Sequence, residues 1–143
     1  MKIKRHGSAA WRGGIKDGKG SISTESGALN AYPYGFASRF EGQKGSNPEE
    51  LIGAAHAACF TMALSLILTE ANLTAERLET SAEVSLYQVG DGFSITAIHL
   101  TLKAQVPGTN AATFADLVGK AKIGCPVSKL LKAEISLDAT LLD

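Results

Sequence analysis

The sequence holds two cysteines, Cys59 and Cys125, and each stands in a setting that bears on thiol chemistry. Cys59 falls near the middle of SNPEELIGAAHAACFTMALSLIL, where His56 is the only other ionisable side chain between Glu50 and Glu70. A free cysteine there ordinarily packs as a small hydrophobe, whereas its thiolate is a nucleophile. His56 lies one helical turn before it on roughly the same face. An imidazole so placed can take a proton from the thiol, although a histidine on an apolar helix more often makes one structural hydrogen bond. Cys125 precedes Pro126 and the run VSKLL, which fits the first turn of a short helix. The second thiol therefore stands at a helix N-terminus, where partial positive charge favours thiolate. His56 and Cys59 are two ligands, short of the three that a zinc site takes from protein, so no metal and no cofactor is expected.

The elements that must position these groups are legible in outline. Asn47 is a good N-cap for the Cys59 helix, Pro48 fits its first position, and Glu50 stands in a capping-box relation to Asn47. With no polar face, such a helix is either a membrane span or enclosed by other elements. The small residues Gly53, Ala54, Ala55, Ala57 and Ala58 decide for a buried core helix, since they let other backbones come close while adding little hydrophobicity. Before it, residues 8–11, 21–24 and 36–40 are predicted as short strands of an antiparallel meander, parted by Gly13-Gly14, Asp17-Gly18 and a turn at residues 32–35. Arg39 falls in the third of these, facing away from Ser38 and Phe40, which is ordinary for a solvated arginine. The loop at residues 42–45 keeps it within reach of the helix start. Glu49 and Glu50 in the first helical turn suit the helix dipole without any chemistry.

After the helix, Asn72 marks a stop. Residues 77–87 then alternate apolar and polar, Gly90-Asp91-Gly92 reverses the chain, and residues 93–106 return. The apolar parity switches along this return, which predicts a bulge near Thr96 and Ala97. Phe114, Leu117, Val118 and Ala121 are spaced for a helix over residues 111–122 that stops at Gly124, and residues 135–141 alternate as a closing strand.

The pattern is α+β, in a single domain spanning residues 1–143. With 45% hydrophobic residues the chain can build a real core, and its 14 basic and 14 acidic residues cancel without any run of like charge. Neither nucleic acid nor an anionic membrane surface is an expected partner. The start, MKIKRHGSAAW, has no apolar stretch behind its charges, so no secretory signal is read there and the expected location is the cytoplasm. One modest sheet covers one side of a helix that is apolar all round, so a second copy of the chain, in an intimate homodimer, is the simplest source of the other layer.

With these residues laid out, the sequence closely resembles, end to end, the OsmC/Ohr family of bacterial hydroperoxide peroxidases. The resemblance is carried by NPEELIGAAHAACF around Cys59 and AKIGCPVSKLLKAEISLD around Cys125, with STESG at residues 23–27 and PYGF at residues 33–36. It implies antiparallel sheets around a long buried central helix in an intertwined homodimer. It implies that Cys59 attacks the peroxide and becomes a sulfenic acid, which Cys125 then captures as a disulfide before further oxidation. The implied substrates are organic hydroperoxides and often hydrogen peroxide, and the implied reductant is a dithiol such as a protein-bound lipoyl group. By motif, Glu49 of NPE and Arg39 assist: the guanidinium holds Cys59 as thiolate and donates to the peroxide oxygens, and Glu49 orients it through a bidentate pair. Glu49 precedes Cys59 by ten residues, ~15 Å along a straight helix, so their cooperation requires a break near Gly53 or a bridging group. Arg39 is the candidate bridge and Lys16 a competing cation.

Two other function classes stand beside this one. A non-catalytic module with an apolar pocket at a dimer interface, lined by Phe40, Phe60 and Met62, would hold an acyl chain. A thiol redox sensor would use the same disulfide to alter a partner.

Overall fold

Gly13-Gly14 and Gly18 interrupt the first apolar residues, and what they leave are two antiparallel strands, Gly7–Arg12 (β1) and Lys19–Thr24 (β2). The computed structural model describes residues 1–143 and contains two compact units, Met1–Leu51 and Ile52–Asp143.

In the first unit a third strand, Tyr32–Tyr34 (β3), pairs antiparallel with β2. The meander is as expected, but its third member is the YPY segment read as a turn, not residues 36–40. Pro33 is tolerated because β3 is an edge strand. Gly20 lies in register between Trp11 and Tyr34, whose rings close edge to face over it with centroids 5.6 Å apart. A Cβ on Gly20 would come within 2.4 Å of the Tyr34 ring.

Phe36–Phe40 is a short helix (α1), which corrects the strand expected there. Its cause is local. Ser38 Oγ accepts the Gly35 N–H at 2.9 Å, donates back to the Gly35 or Ser46 carbonyl, and so winds the first turn. Phe36 and Phe40, four residues apart, then pack on one another with centroids 5.0 Å apart. No side chain of β1, β2, β3 or α1 is buried.

The long helix Pro48–Glu70 (α2) begins as predicted: Glu50 N–H donates to Asn47 Oδ1 at 2.8 Å, and the Asn47 amide donates to the Glu50 carboxylate at 2.6 Å. It ends at Asn72, whose φ of 59° lets Leu73 N–H reach back to the Leu68 carbonyl at 2.8 Å. Within the second unit it buries one stripe, Gly53, His56, Phe60, Leu64 and Leu68. Ala54, Ala55, Ala58, Met62 and Leu66 are exposed, so a single chain encloses only half of the helix that was expected to be buried all round.

That stripe packs on a sheet of Arg77–Val89 (β4), Gly92–Gln105 (β5) and Glu134–Leu142 (β6), with Ile98, Leu100, Leu102 and Ala104 of central β5 fully buried. The β4–β5 register shifts between Ser85 and Leu86, which pair with Ala97 and Ile95, so Thr96 is the extra residue of the expected bulge. Strand β6 runs parallel to β5, which makes this sheet mixed and not antiparallel throughout. Such a connection needs a crossover, supplied by the helices Ala111–Gly124 (α3) and Pro126–Leu130 (α4). Helix α3 buries the predicted Phe114, Leu117, Val118 and Ala121.

Candidate active site

Helix α3 ends where Cys125 N–H donates to the Ala121 carbonyl at 3.0 Å, and Pro126, which can donate nothing, opens α4 at once. Cys125 is thus the residue between two helices, and it is completely buried. On α2, Cys59 lies beside the buried stripe, half-buried and packed against the same core. Both cysteines are free thiols. The core brings them together, near enough for each thiol to shift the acidity of the other.

The surroundings treat the two sulfurs differently. Burial raises the Cys59 thiol above its ordinary range, and its hydrogen bond to Cys125 raises it further, against a lowering contribution from the Val127 amide. Burial acts on Cys125 in the same direction. There it is outweighed by the donors that surround it, the Cys59 thiol, the Ser128 amide and hydroxyl, and the Val127 amide, so Cys125 titrates below its ordinary range. When the pair gives up its first proton, the anion rests on the sulfur that more donors reach. Individual amides at the start of α4 do this work, since a five-residue helix has little dipole.

His56 is fully buried and makes no hydrogen bond to Cys59. Its Nε2 lies 2.8 Å from Ser128 Oγ, on α4, and burial lowers its pKa. Ser128 went unnoticed in the sequence because 72 positions separate it from His56 and no local pattern links them.

In the first unit, Arg39 and Glu49 form a bidentate pair: Nη2 to Oε1 at 2.7 Å, and Nε to Oε1 and Oε2 at 3.2 and 3.3 Å. Glu49 is nearly buried, whereas about a third of the Arg39 side chain is exposed. Arg39 belongs to the last turn of α1, not to a strand, and its guanidinium also lies 5.3 Å from the Phe40 ring centre. Lys16, the competing cation, sits 5.7 Å over the ring of Phe36. Helix α2 runs unbroken past Gly53, so the break considered there does not occur.

The three residues named for a dimer-interface pocket stand differently in the single chain. Phe60 is fully buried in the core and Met62 projects from the exposed face of α2. Phe40 instead lines a cavity of about 350 Å³ within the first unit, with Trp11, Ile15, Tyr34, Phe36 and Arg39. No three His, Cys, Asp or Glu side chains converge as a metal site would require.

An α+β fold with two reduced thiols close together, one on a long core helix and one between two short crossover helices, defines a dithiol protein of the OsmC/Ohr type. The chain belongs to the OsmC-like protein family, whose sequence model matches residues 41–140. It is 60% identical to Peroxiredoxin OsmC of Escherichia coli (strain K12) over 141 residues, covering 99% of both chains. It is 36% identical over 101 residues to the organic hydroperoxide resistance protein OhrA of Bacillus subtilis (strain 168), covering 69% of this chain and 67% of that one. Among solved structures, OhrB of Bacillus subtilis superposes with a TM-score of 0.67 at 29% identity, over 96% of this chain and 98% of that one. The OsmC-like protein of Mycoplasma pneumoniae shares the fold, with a TM-score of 0.78 over 100% of each chain at 18% identity.

Proposed function

We propose that this chain, a peroxidase of the OsmC-like family, reduces organic hydroperoxides and hydrogen peroxide through a sulfenic acid at Cys59 that Cys125 resolves. The observation that carries this reading is the closeness of two reduced thiols whose acidities are driven apart. Relatives named for peroxiredoxin activity and for organic hydroperoxide resistance support it.

In the first step the Cys59 thiolate attacks the terminal peroxide oxygen. The O–O bond breaks, the sulfenic acid forms, and the departing alkoxide takes a proton to leave as the alcohol. Cys125 accepts the Cys59 proton or waits as thiolate, then forms the disulfide. A dithiol, of which a protein-bound lipoyl group is the expected form, returns the enzyme to two thiols. We assign Arg39 and Glu49 to the first step from the NPE motif and from their ion pair. That pair engages Nε and Nη2, which leaves the Nη1 hydrogens to be donated to peroxide oxygens. The aromatic cavity beside Arg39 suits the apolar body of an organic hydroperoxide. The same cavity is what favours a second reading, an apolar-ligand module without turnover.

The deciding experiment is consumption of cumene hydroperoxide with a dithiol. Wild type should turn over, Cys59→Ser should be folded and inactive, and Cys125→Ser should complete one turnover before Cys59 advances to sulfinic and sulfonic acid. Full activity in Cys59→Ser would sink the mechanism, and a wild type that binds without consuming peroxide would leave the module reading. We place the reaction in the cytoplasm, where thiols stay reduced, and in a homodimer.

A further inference from the structure

His56 is completely buried, yet the reaction above makes no use of it. Its Nε2 lies 2.8 Å from Ser128 Oγ, and its Nδ1, also buried, meets no partner. Two proton arrangements exist. If Nδ1 carries the hydrogen, a buried N–H is orphaned, which proteins rarely allow; if Nε2 carries it, only a lone pair is orphaned and Nε2–H donates to Ser128. The second is the less costly. It leaves the hydroxyl hydrogen of Ser128 to turn toward Cys125, the buried N-cap of α4 three residues before it.

We propose that His56 and Ser128 are positioning residues for the resolving step, forming a line of donors from His56 Nε2–H to Ser128 Oγ and from Ser128 O–H to the Cys125 sulfur that holds Cys125 as the attacking thiolate. This rests on the two-cysteine mechanism proposed above. In the step itself the Cys125 sulfur forms the S–S bond, the S–O bond of the Cys59 sulfenic acid breaks, and hydroxide leaves and is protonated by solvent. The Cys125 sulfur is oxidised and the sulfenic sulfur reduced, so no further oxidant enters. The groups acting on the Cys125 sulfur are the Cys59 thiol, the Val127 and Ser128 amides and the Ser128 hydroxyl. Once Cys59 carries the oxygen its S–H is gone, and the Ser128 hydroxyl is the side-chain donor that remains.

The test uses full-length wild type, Ser128→Ala, Ser128→Thr and His56→Phe, each given one equivalent of cumene hydroperoxide and quenched at intervals across a pH series. Mass spectrometry follows the Cys59 sulfenic acid and the disulfide separately. Cys59 sulfenic acid should still form in every variant. Disulfide formation in Ser128→Ala should slow about tenfold at neutral pH, the worth of one hydrogen bond to a charged group, with the midpoint of its pH profile moved upward. Ser128→Thr, which keeps the hydroxyl, should restore both, and His56→Phe should shift the profile in the same direction. An unchanged pH profile in Ser128→Ala, or a threonine variant no better than alanine, overturns the inference even if His56→Phe fails to fold. Absence of any sulfenic acid at Cys59 in wild type would instead refute the underlying mechanism.

Discussion

At the scale of single residues, the thiols illustrate how neighbours and not residue type set reactivity. Cys59 and Cys125 share one core, but the donors at the start of α4 act on Cys125, so Cys125 gives up its proton before Cys59 does. A cation that favours thiolate at Cys59 is what the proposed mechanism asks of Arg39. Removing it in Arg39→Met should lower kcat/KM for cumene hydroperoxide by about ten- to hundredfold, the range for a charged hydrogen bond. Glu49→Gln should cost less, and Arg39→Lys should not rescue, because an ammonium cannot reproduce the bidentate fork. Additive losses in the double variant would argue against the pair acting as a unit. His56 makes a second prediction, in stability. Its folded pKa is lowered by burial from 6.5, so its contribution is fully present above pH 6.5. As pH falls below that value the unfolded chain takes up the proton first, and stability is lost down to the folded pKa. Urea midpoints of wild type should therefore fall from pH 7 toward pH 5 more steeply than those of His56→Phe. Parallel curves would show that His56 titrates alike in both states.

At the scale of elements, the fit of α2 on its sheet depends on the absence of a side chain at Gly53. A Cβ there would lie 3.2 Å from the Ala82 carbonyl oxygen and 3.4 Å from Val84 Cγ2. Alanine gains about 1 kcal/mol of helix propensity and loses part of it to crowding against a backbone atom, so Gly53→Ala should remain within about 1 kcal/mol of wild type. Gly53→Leu has no such room and should cost about 1–3 kcal/mol in urea unfolding, with any activity loss following from displacement of α2. A leucine variant as stable as wild type would mean that β4 yields easily. Helix α1 shows the limit of periodicity over five residues. Phe36, Ser38 and Phe40 fit a strand of period two, while Phe36 and Phe40 equally fit one turn of helix. The Ser38 hydroxyl, bonded to both ends of Gly35, selects the helix.

At the scale of the whole molecule, two features of the single chain ask for a partner. The exposed face of α2 carries Met62 at 75% and Leu66 at 61% exposure, flanked by Ala54, Ala55 and Ala58. The first unit buries no side chain of its three strands, and a sheet that size needs an apolar face covered by something else. Helix α2 is also long and apolar enough to cross a membrane, but its stripe from His56 to Leu68 is committed to a core. A second copy of the chain is the proposed cover. Sedimentation at micromolar concentration should show a dimer with no folded monomer, and Met62→Glu should weaken it or aggregate it. A compact, active monomer would refute the dimer.

What could be read from residues alone was whatever short-range chemistry decides. Asn47, Pro48 and Glu50 start α2, Asn72 ends it, the parity switch before Ile98 locates the bulge at Thr96, and the two cysteine motifs point to the family. What only the tertiary structure decided was every relation between residues far apart in the chain. The parallel seating of β6 on β5 and the turn of His56 toward Ser128 belong here, whereas the pairing of Cys59 with Cys125 and of Arg39 with Glu49 was expected only through the family resemblance and not from the residues alone. Local pattern records which face of an element is apolar, because burial selects for it residue by residue. It does not record which polar atom on another element will satisfy a buried nitrogen or sulfur, because that match depends on packing distances that no single segment contains.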